Sequence, residues 1–587
     1  MISAESLQRQ WPTLLALIAF TLISLGIGVV ANLVGRKDAG FLRKYFLGNR
    51  SMGAITVALT AAVMSGGTFL GFPSLVYTFG WVVGLWICSY MIAPLTYLGL
   101  MGKRVGQLAR KTGALTLPDL FRERFGSPSL GLATSLIILV FLTVFMEAQF
   151  VAGAKIIKVV LTGESLSQIA KAEDVGDEAA ARPSGEAPKV ELTEEARKQA
   201  EQQAYWIALA IFTLTVVAYT AYGGFLAAVW TDVFQSLIMA AGVIILLPLA
   251  MAACGGLSHA TLEGVGKLGT GYAFGPGAGR AFHPLTMAFS YFVMWAITGA
   301  GQPSTLVRLM AFRDSRTLRY SIIYVTIYNA IIYIPLILIF IAARTILPDL
   351  KDSDSVMPMM VVKLANPYVA GIIMAAPYGA VLSTVSGWLL IIASGLVHDL
   401  YQRFIRPQAT EKEIARASYL ATVLVGLFVA LMASSQPAFL QLLVVFSSTG
   451  LASAFLVPGL MTCFWRRATS AGALSAMILG PAVTLALYAL GIPWVAESLG
   501  LPPNPEFGPA KGMRPYYLLG FDPCVWGISA SILAGVVVSL FTRPPDAARV
   551  SLLFDLQPPD APAPATLELH PERASEVIAR VEPEPTA

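Results

Sequence analysis

The chain has 587 residues, of which 56% are hydrophobic and 13% are charged. Soluble globular proteins carry about 25% charged residues, so this composition excludes most soluble folds and indicates a polytopic membrane protein. The net charge of +5 comes without a basic tract, which argues against nucleic-acid binding, and the four scattered cysteines have neither zinc nor disulfide spacing.

The first apolar run covers residues 11–34 and is long enough to cross a hydrocarbon core of about 30 Å. Its basic residues, Arg36 and Lys37, follow the run instead of preceding it, which is not the order of a secretory signal. We therefore predict an uncleaved helix whose N-terminus lies outside and whose basic end lies in the cytoplasm.

Continuing along the chain, we predict about thirteen transmembrane helices, called spans 1 to 13. They cover residues 12–34, 53–79, 81–101, 129–158, 204–222, 228–253, 285–308, 320–345, 368–397, 417–434, 438–463, 472–491 and 522–541. Lysine and arginine concentrate in every second connection between spans, which indicates that those connections lie in the cytoplasm. With an odd number of spans, this orientation places the N-terminus outside and the C-terminus in the cytoplasm. Lys155 and Lys158 are expected to extend to the outer interface.

Counting the spans divides the chain into five parts. They are an N-terminal extra helix with a cytoplasmic loop (1–50), a first five-helix repeat (51–254), a second five-helix repeat (255–465), two C-terminal helices (466–542) and a tail (543–587). The acidic stretch 162–203 is predicted to be a polar insert outside the membrane. The tail is rich in Pro, Ala and Glu, and we predict that it is disordered in the cytoplasm.

Two spans contain residues that weaken a helix. Span 2 contains Gly66 and Gly67, and span 7 contains the stretch from Gly299 to Pro303. Each is the first helix of a five-helix block, and a matched pair of broken helices is typical of inverted-repeat secondary transporters. Because five is odd, the second block enters the membrane with inverted topology. The alternative is that the glycines serve only close helix packing.

Span 9 contains the adjacent hydroxyls of Ser383 and Thr384. Each could simply bond the carbonyl four residues earlier in its own helix. Together with carbonyls freed in span 2, they would form a shell of oxygen ligands that suits an alkali cation.

The segment from Tyr219 to Asp232 reads Tyr-Thr-Ala-Tyr-Gly-Gly-Phe-Leu-Ala-Ala-Val-Trp-Thr-Asp and resembles the signature of sodium/solute symporters. That family includes the proline, pantothenate and glucose carriers. The resemblance extends from about Tyr45 to Phe541. It is most similar to the pantothenate-type branch in residues 149–154, 312–315 and 472–478. It implies an all-α LeuT-like core of five plus five helices whose first helices are discontinuous.

The resemblance also implies the position of a sodium site. The ligands would be the carbonyl oxygens of Ala61, Met64 and Ala380 and the hydroxyls of Ser383 and Thr384. Asp232 matches the acidic residue that the family links to sodium release on the cytoplasmic side, although an ordinary helix cap is the alternative.

Candidate solute-binding residues come from the two broken spans and from two neighbouring helices. They are Gly66, Gly67, Thr68, Gln149, Trp295, Gly299, Gln302, Ser447 and Ser448. Thr68, Gln149 and the stretch from Trp295 follow the family pattern, whereas Ser447 and Ser448 could line the pocket or only pack between helices.

Departures from the family pattern narrow the solute. The proline branch has an aspartate where this chain has Val63 and a tyrosine where it has Gly299, and sugar carriers use an acid that residues 81–101 lack. The resemblance therefore favours a larger organic anion such as pantothenate, whose negative group a helix N-terminus could receive.

The resulting hypothesis is a sodium-coupled symporter that imports a small carboxylate by alternating access, in a bacterial-type inner membrane. Its expected partners are sodium, the solute and lipid, with no nucleic acid and no obligatory protein partner. Alternatives are a proton-coupled or facilitative carrier of the same fold, or a sodium symporter for proline, a sugar or a monocarboxylate. An enzyme is not expected, because the sequence has no evident nucleophile–base pair or metal cluster.

Overall fold

The computed structural model describes residues 4–34, 53–61, 64–162, 194–274, 284–312, 314–436, 439–507 and 513–555. These residues form α-, 3-10 and π-helices, and no β-strand occurs among them. Ten helical stretches in the described ranges are long and apolar enough to cross a membrane, and a shorter apolar helix covers residues 285–301. The predicted all-α polytopic membrane fold is confirmed, and the described residues of each of the thirteen predicted spans are mainly helical.

The N-terminal half contains helices α1 to α10. They are α1 (Ala4–Val34), α2 (Ala54–Ala61), α3 (Phe72–Phe79), α4 (Val83–Tyr90), α5 (Lys103–Thr112), α6 (Leu117–Phe125), α7 (Pro128–Thr162), α8 (Glu194–Ala253), α9 (Leu257–Leu268) and α10 (Gly271–Phe274). A π-helix, Gly67–Gly71, precedes α3 in span 2, and a second π-helix, Leu95–Gly102, joins α4 to α5 in span 3.

The C-terminal half contains helices α11 to α21. They are α11 (Leu285–Ile297), α12 (Pro303–Ala311), α13 (Ser315–Ile346), α14 (Val356–Leu364), α15 (Pro367–Ser394), α16 (Glu411–Ala433), α17 (Leu440–Phe464), α18 (Ser470–Leu490), α19 (Pro493–Ser498), α20 (Pro523–Phe541) and α21 (Ala547–Phe554). A 3-10 turn, Thr298–Gly301, separates α11 from α12, and a π-helix, Gly395–Ile405, continues α15.

Spans 5 and 6 both lie in α8, whose 60 residues correspond to about 90 Å of straight helix, roughly three membrane thicknesses. Residues from span 5 and from span 6 nevertheless contact the same part of α15. The ring of Phe212 lies 6.1 Å from that of Tyr378, and a Cβ added to Gly242 would lie 2.6 Å from Ala376. The chain therefore reverses direction between residues 212 and 242, as two antiparallel spans require.

Burial separates the central helices from the peripheral ones. The most apolar window of α17 is buried completely, whereas only 22% of the corresponding window of α1 is buried. Close contacts at small residues bring the central helices together, as where Gly450 leaves room for the ring of Phe141 and Gly480 for the backbone of Ser453. Helices α7, α15 and α17 thus form a packed frame around the interior of the protein.

The tail prediction is wrong at its beginning, because residues 547–554 form α21 on a surface rich in basic residues, the cation-rich face. The ring of Phe554 lies 5.1 Å from the guanidinium carbon of Arg104 and 5.0 Å from that of Arg124. Lys111 donates hydrogen bonds to the last carbonyls of the helix. These cation–π contacts anchor a segment whose composition alone suggests disorder. Residues 556–587 lie outside the described residues, as do residues 163–193 of the insert.

Helix α6, at the same face, begins with a capping box in which the Thr116 hydroxyl accepts from the Asp119 amide and the Asp119 carboxylate accepts from the Thr116 amide. Arg403 pairs with the same carboxylate, and Nε2 of His398 lies 3.4 Å from it. Burial by itself would raise the pKa of Asp119, but the hydrogen bond from His398 and the charges of His398, Arg403 and Arg122 outweigh burial and hold that pKa below its usual range.

Candidate functional site

The first interruption lies in span 2, as predicted from its glycine pair. Helix α2 ends at Ala61, and Met64 and Ser65 are not helical. The amide of Gly66 donates to the side-chain oxygen of Gln149 at 2.7 Å, and the amide of Gly67 donates to the Ser65 hydroxyl at 3.1 Å. Side chains therefore satisfy two amides that the interrupted helix leaves without partners in the ladder.

The second interruption lies in span 7. The 3-10 turn ends at Gly301, and Gln302 is extended (φ −80°, ψ 125°) before α12 begins at Pro303. A Cβ at Gly301 would lie 3.0 Å from the backbone nitrogen of Leu456, so this turn packs directly against α17. The side-chain amide of Gln302 donates to the carbonyl of Ser448 at 3.3 Å. The prediction that both first helices are discontinuous is confirmed.

The hydroxyl of Thr384 connects span 2 to α15. Its Oγ1 lies 2.8 Å from the carbonyl oxygen of Met64 and 2.9 Å from that of Ala380, and the Ser383 hydroxyl lies 3.0 Å from the same Ala380 oxygen. The bond to Ala380 is the ordinary contact four residues back in the helix. The bond to Met64 joins residues 320 positions apart, and it brings four of the five predicted ligand residues together at one buried place.

A small cavity of about 300 Å³ borders this cluster and is also lined by Asp232, Ser236 and Arg308. One carboxylate oxygen of Asp232 lies 3.5 Å from the Arg308 guanidinium, and the other makes no hydrogen bond within the described residues. The acid predicted to assist sodium release therefore lines the same cavity as Met64, Ser383 and Thr384.

The donor atoms around this small cavity suit a hard alkali cation. The carbonyl oxygen of Met64 accepts from Thr384, and hydroxyl and carboxylate oxygens also line the cavity, whereas the thioether sulfur of Met239 accepts from the Tyr328 hydroxyl at 3.8 Å. Oxygen donors of this kind favour sodium over the softer transition metals, which prefer sulfur and imidazole. Ala61, the fifth predicted ligand residue, is the last residue of α2 and is not among the described residues that line this cavity, so its role as a ligand stays a prediction.

A larger cavity of about 820 Å³, called the central cavity, lies between the two interruptions. Six of the nine predicted solute-binding residues line it: Gly67, Thr68, Trp295, Gly299, Gln302 and Ser448. Gly66 and Gln149 are not among its lining residues and bond to each other. Ser447 is buried in α17 and does not line the cavity.

Apart from Trp295, the sequence did not identify the aromatic wall of the central cavity. The Trp86 ring stacks on Trp295 with centroids 5.3 Å apart, and Tyr90 lies between Trp295 and Tyr333 at centroid distances of 6.0 and 5.2 Å. The Tyr333 hydroxyl lies 3.0 Å from that of Thr68. Aromatic residues are common in apolar spans, so only the fold distinguishes those that face the cavity.

Gln441 is a second lining residue that the sequence did not indicate. It stands near the start of α17, and its side-chain oxygen has no hydrogen-bond partner within the described residues. A Cβ at Gly71 would lie 2.3 Å from this oxygen, so the glycine is what lets Gln441 approach span 2. Because these residues are 370 positions apart in the sequence, only the fold shows that they meet.

The central cavity is lined mainly by apolar and aromatic side chains with a few hydroxyls and amides, and none of its described lining residues carries a charged side chain. Ser304 and Thr305, in the first turn of α12, line it together with Gln302. The amides of a helix N-terminus attract negative charge. The cavity can therefore receive an anionic group through backbone amides and hydroxyls, and an apolar body through the aromatic wall.

Comparisons with known proteins agree with these features. Residues 45–168 and 198–480 match the model of the Sodium:solute symporter family. A sodium/pantothenate symporter of Escherichia coli is 32% identical over 539 residues, which is 91% of this chain and 97% of that protein. A sodium/proline symporter of Haemophilus influenzae is 30% identical over 491 residues, or 80% and 87% of the two chains.

The fold is also found among solved structures. A Na+-coupled sialic acid symporter, determined in a substrate-bound outward-open state, superposes with a TM-score of 0.63 at 17% identity. The match covers 91% of this chain and 99% of that one. At this level of identity the likeness concerns the fold alone.

Proposed function

Since the chain belongs to the sodium:solute symporter family, we propose that it imports a small organic carboxylate such as pantothenate together with sodium, by alternating access. The observation that carries the proposal is the Thr384 hydroxyl, which bonds the carbonyl oxygens of both Met64 and Ala380. The two carbonyl oxygens that this hydroxyl contacts are also proposed ligands of the ion.

Sodium at this place would join the interruption of span 2 to α15. The proposed ligands are the carbonyls of Ala61, Met64 and Ala380 and the hydroxyls of Ser383 and Thr384. An ion held by two helices favours the conformation in which those helices are close, so it shifts the population towards that state. The neighbouring central cavity, with Thr68 in the same span, then becomes the solute site.

We assign the cation-rich face to the cytoplasm of a bacterial-type inner membrane, with the N-terminus outside and the C-terminus inside. Basic residues in short connections are retained on the cytoplasmic side. Arg104, Lys111 and Arg124 contact α21 at that face, which supports this orientation.

Asp232 is the proposed point of sodium release. It lines both the small cavity and another cavity of about 740 Å³ that includes Asp399, on the side of the cation-rich face. Arg308 lines both cavities too. An ion leaving Thr384 would therefore pass the carboxylate of Asp232, which already has the guanidinium of Arg308 as a neighbour. Because the positive charge of Arg308 repels sodium, it limits how tightly the exit path can retain the ion.

The solute assignment is supported by the pantothenate-type relative and by the central cavity itself. Gly299 stands where the proline branch has a tyrosine, and a Cβ there would lie 2.9 Å from the Tyr97 ring. Carboxylate binding would use Gln302 and the first turn of α12. The five-part division of the chain proposed from the sequence places the two interruptions at equivalent positions of the two repeats.

The driving force is sufficient for concentrative uptake. One sodium ion crossing about 100 mV contributes about 2.3 kcal/mol, and a tenfold sodium gradient adds about 1.4 kcal/mol. Together these support roughly 500-fold accumulation of a solute that crosses with no net charge of its own. A carboxylate crosses against the potential, so it needs more than one sodium ion for the same accumulation.

The direct test is uptake of labelled pantothenate into proteoliposomes that contain the purified protein. We expect uptake when sodium is outside and little uptake when choline replaces it. A rate that is the same in choline would indicate a proton-coupled or facilitative carrier. Sodium-dependent uptake of proline but not of pantothenate would support the sodium coupling and replace pantothenate by proline as the solute.

A further inference from the structure

The connection between α13 and α14 crosses the face of the protein opposite the cation-rich face. Its residues 347–355 are called the outer strap. The hydroxyl of Tyr77, in α3, donates to the carbonyl of Leu347 at 2.5 Å, and the Ser74 hydroxyl donates to the Ser353 hydroxyl at 2.6 Å. The outer strap is therefore attached to the outer half of the interrupted span 2.

Lys155 of α7 holds the strap from another side. Its Nζ lies 3.0 Å from a carboxylate oxygen of Asp352 and 3.1 Å from one of Asp354. The Lys155 side chain is 12% exposed and that of Asp354 is 2% exposed. The expectation that Lys155 extends to the interface is thus wrong, because two carboxylates of the outer strap provide its partners inside the protein.

Asp354 also connects the strap to α17. The carboxylate oxygen that contacts Lys155 accepts a hydrogen bond from the amide of Leu440 at 3.1 Å. The next residue, Gln441, lines the central cavity and packs against Gly71. One short strap thus bonds α3 and α7 of the first repeat and α17 at the edge of the central cavity.

We propose that Lys155, Asp352 and Asp354, called the outer latch, hold the outer strap against span 2 and the start of α17, at the edge of the central cavity, and separate when the transporter opens to the outside. This inference rests on the proposed alternating access. In the closed conformation Lys155 and Asp354 are buried and pair with each other, and the half-exposed Asp352 adds a second carboxylate to Lys155, so neither buried charge lacks a partner. In an open conformation water solvates all three, so the latch can separate without leaving a buried charge unpaired.

Removal of the lysine alone should bias the protein towards the open conformation. Without Lys155, the carboxylates of Asp352 and Asp354 would remain close together, and Asp354 would be buried without a cation. Like charges repel, and a buried unpaired carboxylate is costly, so the closed conformation loses stability relative to the solvated one. Lys155→Arg retains the charge and should retain the closure.

The test measures access to Ser74 from outside. Ser74 is 1% exposed under the strap. A Ser74→Cys reporter is placed in a variant whose four native cysteines are replaced, and its reaction rate with a membrane-impermeant maleimide is measured in intact cells. We expect Lys155→Met to raise the rate at least about tenfold, and Lys155→Arg to remain within about twofold of the parent.

Lys158 provides the matched control, because it lies one turn further along α7 and forms its ion pair with Glu201 at 3.7 Å, while its charge acts on Asp352 only from a longer distance than that of Lys155. Lys158→Met should leave the labelling rate within about twofold of the parent. An unchanged rate in Lys155→Met, or an equal increase in Lys158→Met, would overturn the proposal. If Lys155→Met fails to reach the membrane, the double variant Asp352→Asn with Asp354→Asn must show the same increase, and a rate equal to the parent overturns the proposal.

The labelling requires neither sodium nor solute, so it separates the latch from the proposed function. The same reporter tests the sodium site in two ways. Sodium is replaced by choline, and, separately, the double substitution Ser383→Ala with Thr384→Ala is added. If sodium has no effect but Lys155→Met still increases labelling, the latch stands and the sodium proposal fails. If sodium alters labelling but Lys155→Met does not, the latch fails and the sodium proposal stands.

Discussion

The hydroxyl of Thr384 allows the sodium proposal to be tested with a single isosteric substitution. Thr384→Val retains the shape of the side chain but removes the oxygen that lies 2.8 Å from the Met64 carbonyl and 2.9 Å from the Ala380 carbonyl. Thr384→Ser retains the oxygen. The pair of variants therefore separates loss of the ligand from loss of the methyl group.

The expected effect on sodium follows from the number of ligands. A favourable contact between a neutral polar group and a charge contributes about 1.5–3 kcal/mol, so losing one of five proposed oxygens should weaken sodium binding about 10- to 100-fold. The sodium-free protein loses only the hydrogen bond between helices, which contributes about 1 kcal/mol. The change in sodium affinity should therefore be much larger than the change in folding stability.

Binding of ²²Na⁺ to the purified protein measures this affinity without knowledge of the solute. A matched control is Thr422→Val, which removes a buried hydroxyl whose one hydrogen bond within the described residues goes to the carbonyl of Ser418 in its own helix, at 2.8 Å. We expect weak binding for Thr384→Val and parental binding for Thr384→Ser and Thr422→Val. Parental sodium affinity in Thr384→Val would refute the assignment of this hydroxyl as a ligand.

Three further predictions concern solute binding, pH and the C-terminal helix. Gly71→Ala should weaken solute binding at least about tenfold by displacing Gln441, whereas Gly84→Ala, with its nearest atom at 3.6 Å, should leave equilibrium solute binding unchanged. Asp119→Asn should lower stability at pH 7 by on the order of 3 kcal/mol. Because the folded pKa of Asp119 is depressed, its contribution is complete above about pH 4 and decreases below it, so thermal unfolding of the variant and parent should converge only in acid. Phe554→Ala should lower the free energy of unfolding by about 1 to 3 kcal/mol by removing the ring that α21 places among guanidinium groups, and unchanged thermal unfolding would contradict the docking.

Local chemistry explains which features could be predicted from the sequence. Span lengths follow from hydropathy, and the interruptions just before Gly66 and just after Gly301 follow from neighbouring residues that weaken a helix. The proximity of Met64 and Thr384 was obtained from the family resemblance, and the structure places these residues in contact across 320 positions.

Features that depend on distant partners were not accessible in this way. Lys155 has an ordinary interfacial position in the sequence, and only the course of the outer strap shows that two carboxylates meet it. Phe554 stands in a segment of low hydrophobicity, and its partners come from α5 and α6. Tyr333 faces the central cavity from α13, whose other tyrosines include the exposed Tyr320.

The central claim is that an alkali ion joins the interrupted span 2 to α15, and a high-resolution cryo-EM map of the protein in sodium tests it most directly. The account predicts density for an ion among the oxygens of Met64, Ala380, Ser383 and Thr384, and its disappearance when choline replaces sodium. A map of a protein preparation active in sodium-dependent uptake that shows no ion there, with the two hydroxyls turned away from Met64, would contradict it.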